Sequence, residues 1–127
     1  MAMENKRDEE LYKSIQQLQT MKIENEEKLY ALETLRTLER KRADAAQKVL
    51  AMLETVQGTD RKVYQNIGRA YVLSGIDTIV NFKKESIEKS RKNGENMRNR
   101  QEEIRTEYKK KEDDVREKLR ALQTKSQ

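Results

Sequence analysis

The sequence predicts a mostly α-helical chain in which a central β-hairpin joins the two helices of a long antiparallel coiled coil. Heptad-spaced apolar residues run through both flanks, and a short segment rich in β-branched and aromatic residues lies between them. Proline, the strongest helix breaker, is absent from all 127 residues. These observations predict helices over residues 8–57 and 75–123, a hairpin over residues 62–74, and a single unit over residues 1–127.

The composition favours extended helices over a compact globule. Only 34% of the residues are hydrophobic and 40% are charged, whereas ordinary globular domains are about 45–50% apolar. Such a chain is either disordered or made of helices whose apolar residues line a single seam. The heptad periodicity favours the helices.

Composition also limits the chemistry. The chain has no cysteine and no histidine, which removes thiolate nucleophiles, imidazole bases and the commonest metal ligands. The sequence contains no glycine-rich phosphate loop, so we expect a protein that is not an enzyme and uses no cofactor. No apolar run reaches the ~20 residues of a membrane span, and the start of the chain does not resemble a signal peptide. A cytoplasmic location without membrane contact is therefore expected.

The first predicted helix carries a seam at alternating steps of four and three residues. Its first part comprises Leu11, Ile15, Leu18, Lys22, Asn25, Leu29 and Leu32. Two successive steps of three then predict a local phase reset. After that reset the seam comprises Leu35, Leu38, Arg42, Ala45, Val49, Met52 and Val56. The adjacent polar residues Lys22 and Asn25 are either a tolerated polar layer or a device that selects register or partner. Gly58 is expected to end the helix in a left-handed conformation.

The second predicted helix begins at Ser74-Gly75-Ile76-Asp77, a sequence typical of a capping box with serine as the N-cap. Its seam has no phase break. It comprises Ile76, Val80, Lys83, Ile87, Ser90, Gly94, Met97, Gln101, Ile104, Tyr108, Lys111, Val115, Lys118 and Leu122. Gly94 lies in a stretch rich in serine and asparagine, so this part of the helix is expected to be the least stable.

The segment between the helices predicts a hairpin with Gly68 and Arg69 as a two-residue turn. The expected cross-strand pairs are Ile67 with Ala70, Asn66 with Tyr71, Gln65 with Val72, and Tyr64 with Leu73. An isolated hairpin is marginally stable in water, and its outer edges expose unpaired backbone groups. We therefore expect the hairpins of several chains to join into an inter-subunit β-barrel. The alternative is that the hairpin only packs against its own helix ends.

These hairpin residues resemble the hairpin of the β-type subunits of prefoldin, in which an aromatic residue, a turn glycine and a basic or polar residue precede three apolar residues. The resemblance implies a heterohexamer of α-type and β-type prefoldin subunits. That complex would hold unfolded actin- and tubulin-like clients and pass them to the cytosolic chaperonin without ATP. The residues expected to form the assembly hairpin are Val63, Tyr64, Ile67, Gly68, Arg69, Tyr71, Val72 and Leu73.

The terminal ends of the two helices are the expected client-binding tip. An antiparallel pair brings both termini together, and fraying there would offer apolar groups to an unfolded chain. The expected tip residues are Met1, Met3, Leu11, Tyr12, Ile15, Val115, Leu119 and Leu122. Tyr12 and Leu119 lie off the predicted seams, so we expect them to be exposed. The seam residues in this set could instead be ordinary packing residues.

Two other functions remain open. The chain could be a scaffolding coiled coil that dimerises through its helices. Residues 83–100 carry seven basic and three acidic residues, so this stretch could instead bind nucleic acid. Because aromatic residues do not interleave the basic ones, a solvated helix face is the favoured interpretation and nucleic acid is not an expected partner.

Overall fold

Two long helices joined by a strand hairpin form the chain, as the sequence predicts. The computed structural model describes the backbone of residues 2–67 and 70–125, and the side chains of residues 6–64, 73 and 75–124. The elements follow in the order α1 (Ala2–Val56), β1 (Val63–Ile67), β2 (Ala70–Ser74) and α2 (Ile76–Lys125). Helix α1 begins before the predicted residue 8 because the preceding residues are mostly good helix formers.

The strand register matches the prediction at every pair. Strands β1 and β2 are antiparallel, with Tyr64 opposite Leu73 and Ile67 opposite Ala70, and the ladder extends to Val63 opposite Ser74. The predicted turn residues Gly68 and Arg69 lie outside the described residues. The described strands form one two-stranded sheet and no barrel within the single chain.

Helix α1 ends at a glycine in the left-handed region, as predicted. Gly58 has a φ of +80°, a conformation that other residues adopt only with strain. The backbone N–H of Thr59 donates to the carbonyl of Val56 at 3.2 Å, and the Thr59 hydroxyl donates to the same oxygen at 2.6 Å. These bonds satisfy a carbonyl that the last helical turn would otherwise leave unpaired.

The start of α2 differs from the predicted capping box. Ser74 is the last residue of β2, so it is not the N-cap. The carbonyl of Gly75 accepts the first helical bond, from the backbone N–H of Ile79 at 3.1 Å. The Asp77 carboxylate accepts a hydrogen bond from Gln57 Nε2 at 3.0 Å. The strand ladder thus takes Ser74, and Asp77 connects the start of α2 to the end of α1.

The chain divides into two compact units, and each contains a segment of both helices. The first comprises Met1–Glu33 and Arg98–Gln127, and the second comprises Thr34–Met97. In the first unit, Leu11 and Leu122 line one groove, and the carbonyl of Leu29 accepts a bond from Gln101. Residue numbers therefore rise along α1 as they fall along α2, so these helix segments are antiparallel.

The hydrophobic core of the second unit lies where the helices meet the hairpin. Its buried residues are Leu50, Leu53, Ile79 and Val80. Val63, Ile76 and Ile87 are partly buried and pack against this cluster. Burying a large aliphatic side chain contributes about 1.5–3 kcal/mol, so the cluster stabilises both helix ends and the base of the hairpin.

The predicted seam of α2 is largely confirmed. Val80, Gln101, Ile104 and Val115 are buried on it. Half-buried seam residues are Ile76, Lys83, Ile87, Ser90, Gly94, Met97, Tyr108 and Leu122. Lys111 and Lys118 are exposed, because a charged ammonium keeps its solvation by remaining in water.

The predicted phase reset in α1 is wrong. Leu35, Leu38, Val49 and Met52 are 46%, 43%, 38% and 71% exposed. The observed seam instead continues from Leu32 in unbroken steps of four and three, and it comprises Arg36, Glu39, Ala43, Ala46, Leu50 and Leu53. A single phase avoids the local overwinding that a stammer requires.

A charged residue on the observed α1 seam is stabilised locally. Glu39 is buried, and its carboxylate accepts a hydrogen bond from the Arg42 guanidinium at 3.3 Å.

Along both helices, no described segment combines the length and apolar character that crossing a membrane requires.

Candidate assembly and client-binding sites

One side of the hairpin base packs against the helices, and the other side is open. Val63 contacts the buried cluster of the second unit. Tyr64 and Leu73, the neighbouring cross-strand pair, are each 56% exposed. Because successive strand residues face opposite sides of a sheet, the helices cover the Val63 side and leave the Tyr64 side uncovered.

Both strands of the hairpin are also edge strands. Each has five residues and one strand neighbour, so its outer backbone groups have no strand partner in the described part of the chain. Such edges are ready to pair with another strand. Of the predicted assembly residues, Gly68 and Arg69 lie outside the described residues, as do the side chains of Ile67, Tyr71 and Val72.

The first unit brings one predicted tip residue of each helix, Leu11 and Leu122, into the same groove. This groove of about 220 Å³ is lined by Arg7, Glu10, Leu11, Lys118, Ala121 and Leu122. The lining combines apolar side chains with charged side chains of both signs. A groove of this size can receive one or two apolar side chains of a bound polypeptide.

The exposure of the tip residues separates them into two groups. Tyr12 is 63% exposed and Leu119 is 41% exposed, as predicted from their positions off the seams. Val115 is buried, and Leu11, Ile15 and Leu122 are half-buried. Met1 lies outside the described residues, and Met3 belongs to α1 but its side chain is not among those described. Of the predicted tip residues with described side chains, Tyr12 and Leu119 therefore expose the most apolar surface.

A buried glutamine connects the helices of the first unit. Gln101 is 2% exposed, and its Nε2 donates to the Leu29 carbonyl at 3.4 Å and to Glu33 Oε2 at 3.1 Å. Gln101 lies on the predicted seam, but its partners could not be predicted because neither acceptor is marked by a sequence pattern. A satisfied buried polar group favours one helix register over its alternatives.

The polar layer at Asn25 has a different character. Its side-chain Nδ2 is buried and has no hydrogen-bond partner among the described residues. It borders a groove of about 210 Å³ that Lys22, Leu29, Ile104 and Tyr108 also line. An unsatisfied buried amide costs about 1–3 kcal/mol.

The basic stretch of α2 contains several ion pairs. Arg91 lies 2.8 Å from Glu88 and 3.2 Å from Glu95, and Arg100 lies 3.2 Å from Glu103. The hydrogen bond from Arg91 holds the pKa of the Glu88 carboxyl below its ordinary value. These pairs offset part of the positive charge and match a solvated helix face.

The described residues contain no group of three or more side chains arranged to hold a metal ion. No family model matches the chain, and no curated protein matches its sequence.

Proposed function

We propose that this chain is a β-type prefoldin subunit that holds unfolded proteins without ATP. Among that family its hairpin sequence is most like eukaryotic prefoldin subunit 1. In this proposal it assembles with α-type and β-type partners into a heterohexamer in the cytoplasm. The complex holds actin- and tubulin-like clients and passes them to the cytosolic chaperonin.

The observation that carries the proposal is a hairpin with two open edges and an exposed apolar pair, placed between two long helices. Tyr64 and Leu73 expose more than half of their surface, although both suit a sheet interior. An edge strand with an apolar face is unstable alone and prone to pair with other strands. Joining the hairpins of several subunits into a barrel would satisfy both the edges and the apolar pair.

Client holding is assigned to the tip because apolar surface is exposed there. Tyr12 and Leu119 are open to solvent, and the neighbouring groove can receive apolar side chains. Each contact of this kind is weak and reversible. Several tips acting together would bind an extended client through avidity, and fast exchange at each tip would permit release without ATP.

Assembly is tested by replacing the exposed pair of the hairpin. We expect Tyr64→Asp combined with Leu73→Asp to abolish higher-mass complexes with an α-type prefoldin subunit, measured by native mass spectrometry. The reason is that burying two carboxylates in a sheet interface is strongly unfavourable. Phe82→Asp, at a residue that is 59% exposed on α2, is the matched control and should assemble normally.

Unchanged assembly of the hairpin variant would contradict the proposal and favour a scaffold that dimerises through its helices. Equal loss in the Phe82→Asp control would show that the effect is not specific to the hairpin. Circular dichroism should give wild-type helix content for both variants.

Client holding is tested separately at the tip. Tyr12→Asp combined with Leu119→Asp should leave the assembled mass unchanged but reduce suppression of aggregation of chemically denatured actin. Ile23→Asp, at a residue that is 61% exposed in the same unit, is the control and should retain full suppression. Full suppression by the tip variant would place client contact elsewhere on the complex.

The nucleic-acid alternative predicts binding to duplex or single-stranded probes that weakens steeply as salt rises. The ion pairs of Arg91 and Arg100 argue against it. Absence of binding at low salt would remove this alternative.

A further inference from the structure

We infer that an exposed stripe on α1 docks an amphipathic helix of a different protein chain, one with an apolar contact face and acidic flanks. The exposed stripe comprises Leu35, Leu38, Ala45, Val49 and Met52. All five residues lie in the second unit. The inference does not depend on the proposed chaperone function.

The spacing of the stripe specifies a helix as its occupant. Leu35 and Leu38 are three residues apart, as are Val49 and Met52, and Ala45 and Val49 are four apart. The exposed Arg42 occupies the intervening position. Alternating steps of three and four create a row of knobs and holes that a second helix fills.

Helix α2 does not cover this row. The observed seam lies beside the stripe, so the exposed Leu38 is followed by the buried Glu39, and the exposed Met52 by the buried Leu53. A helix with two adjacent apolar rows is typical of packing against two neighbours. Within the second unit, one row is packed and the other is open.

The two positions that flank the middle of the stripe on its outer side are basic, and the acidic Asp44 lies one row further out. Lys41 and Lys48 lie seven residues apart, and each comes directly before a position of the exposed row. Both are exposed, and neither forms an ion pair within the described part of the chain. Flanking charges of this kind select partners by sign, so they favour a helix with Glu or Asp beside its apolar row.

The same lysines disfavour a second copy of this chain. In an antiparallel self-pair the flanks of the two copies meet, which brings lysines against lysines. In a parallel self-pair, each lysine faces the other side of the stripe on the second copy. That side adjoins the packed seam and includes the buried residues Ala46 and Leu53. Neither arrangement places an acidic residue directly opposite Lys41 or Lys48, whereas a different chain can.

The test uses two synthetic helical peptides of about three heptads. Both carry leucine along the contact row, and their flanks are glutamate in one and lysine in the other. Fluorescence anisotropy measures the binding of each to the full chain. We expect the glutamate peptide to bind at least about twofold more tightly, and Lys41→Glu with Lys48→Glu to invert the preference. The reason is that each exposed charge pair changes the affinity by about 1.4- to 5-fold, and two lysines take part.

Leu38→Asp with Val49→Asp should weaken binding of the glutamate peptide at least tenfold, while Ile23→Asp in the other unit should leave it unchanged. Equal affinity for the two peptides, no binding of either, or no effect of the stripe variant would overturn the inference. Sedimentation equilibrium supplies a further outcome. A dimer of the chain alone that disappears in the stripe variant would identify a second copy as the occupant and overturn it too.

The melting temperature of the stripe variant provides an independent measurement. An exposed docking row predicts a value close to that of the wild type. A large loss would show that the stripe is packed within the chain, and this would overturn the inference.

Discussion

Gly94 provides a direct test of how α2 is stabilised. It lies in the interior of α2 and is half-buried, yet an added Cβ atom would meet no atom within 4 Å. An interior helical glycine costs about 0.5–1 kcal/mol relative to alanine, since the unfolded chain gains more freedom. We therefore expect Gly94→Ala to stabilise the chain by about that amount.

The expected change in melting temperature follows from the size of the chain. Unfolding entropy is about 2.1 cal/mol/K per residue, and the chain has 127 residues. A gain of about 1 kcal/mol thus raises the melting temperature by roughly 4 °C. Calorimetry measures this shift, and amide hydrogen exchange around residue 94 should slow by about fivefold if the gain is local.

Gly58 is the matched control, since an added Cβ atom would also meet nothing within 4 Å there. Its φ of +80° makes Gly58→Ala strained, so this variant should lose about 1 kcal/mol. A lowered melting temperature for Gly94→Ala would refute the reasoning, because it would reveal a close approach at Gly94. Equal effects of the two substitutions would show that backbone conformation does not decide the outcome.

Three further predictions address the seam, the buried glutamine and the ion pairs. Leu50→Ala should lower the free energy of unfolding in chemical denaturation by about 2–5 kcal/mol. Met52→Ala, at a residue 71% exposed, should lower it by less than about 0.5 kcal/mol. The reverse order would favour the predicted seam with its phase reset over the observed one. Gln101→Leu should keep or raise the melting temperature, because an apolar residue fills the same space. It should also broaden the distance distribution between spin labels on the two helices of the first unit, because leucine does not specify a register. A single narrow distance would contradict this prediction. Arg91 lowers the folded pKa of Glu88, so the contribution of Glu88 to stability is present above the unfolded pKa and is lost as pH falls through the folded pKa. Carboxyl NMR titration should show that the pKa of Glu88 rises in Arg91→Gln. An unchanged pKa would exclude Arg91 as the cause of the lowered pKa.

Much of the fold follows from local patterns in the sequence. The hairpin register follows because the predicted two-residue connection between Ile67 and Ala70 allows one pairing of the flanking strands. The α2 seam follows because its heptad repeat is unbroken. The cap at Gly58 follows because glycine adopts positive φ without strain.

The α1 seam does not follow from apolar content, because two phases compete along this helix. The predicted phase gains Leu35 and Leu38, whereas the observed phase places Arg36 and Glu39 on the seam. Continuity with Leu32 and burial of Leu50 and Leu53 outweigh those two leucines. Extending the four-three steps from Leu32 without a break would have found the observed seam.

The candidate sites depend on information that the sequence carries only in part. Positions off the seams correctly predicted the exposure of Tyr12 and Leu119. The seam position of Val115 correctly predicted its burial, which makes it a packing residue. The partners of Gln101 depend on the relative heights of two helices, so they emerge only from the three-dimensional structure.

The packing of Val63 links the stability of the hairpin to that of the adjoining helix ends. This residue belongs to β1 and also packs on the cluster that includes Leu50 and Val80. If the hairpin opens, the cluster loses one of its contacts, so local melting of the sheet loosens the adjoining helix ends. A protease that cleaves the opened connection would separate α1 from α2, and resistance to such cleavage would report directly on whether the hairpin is closed.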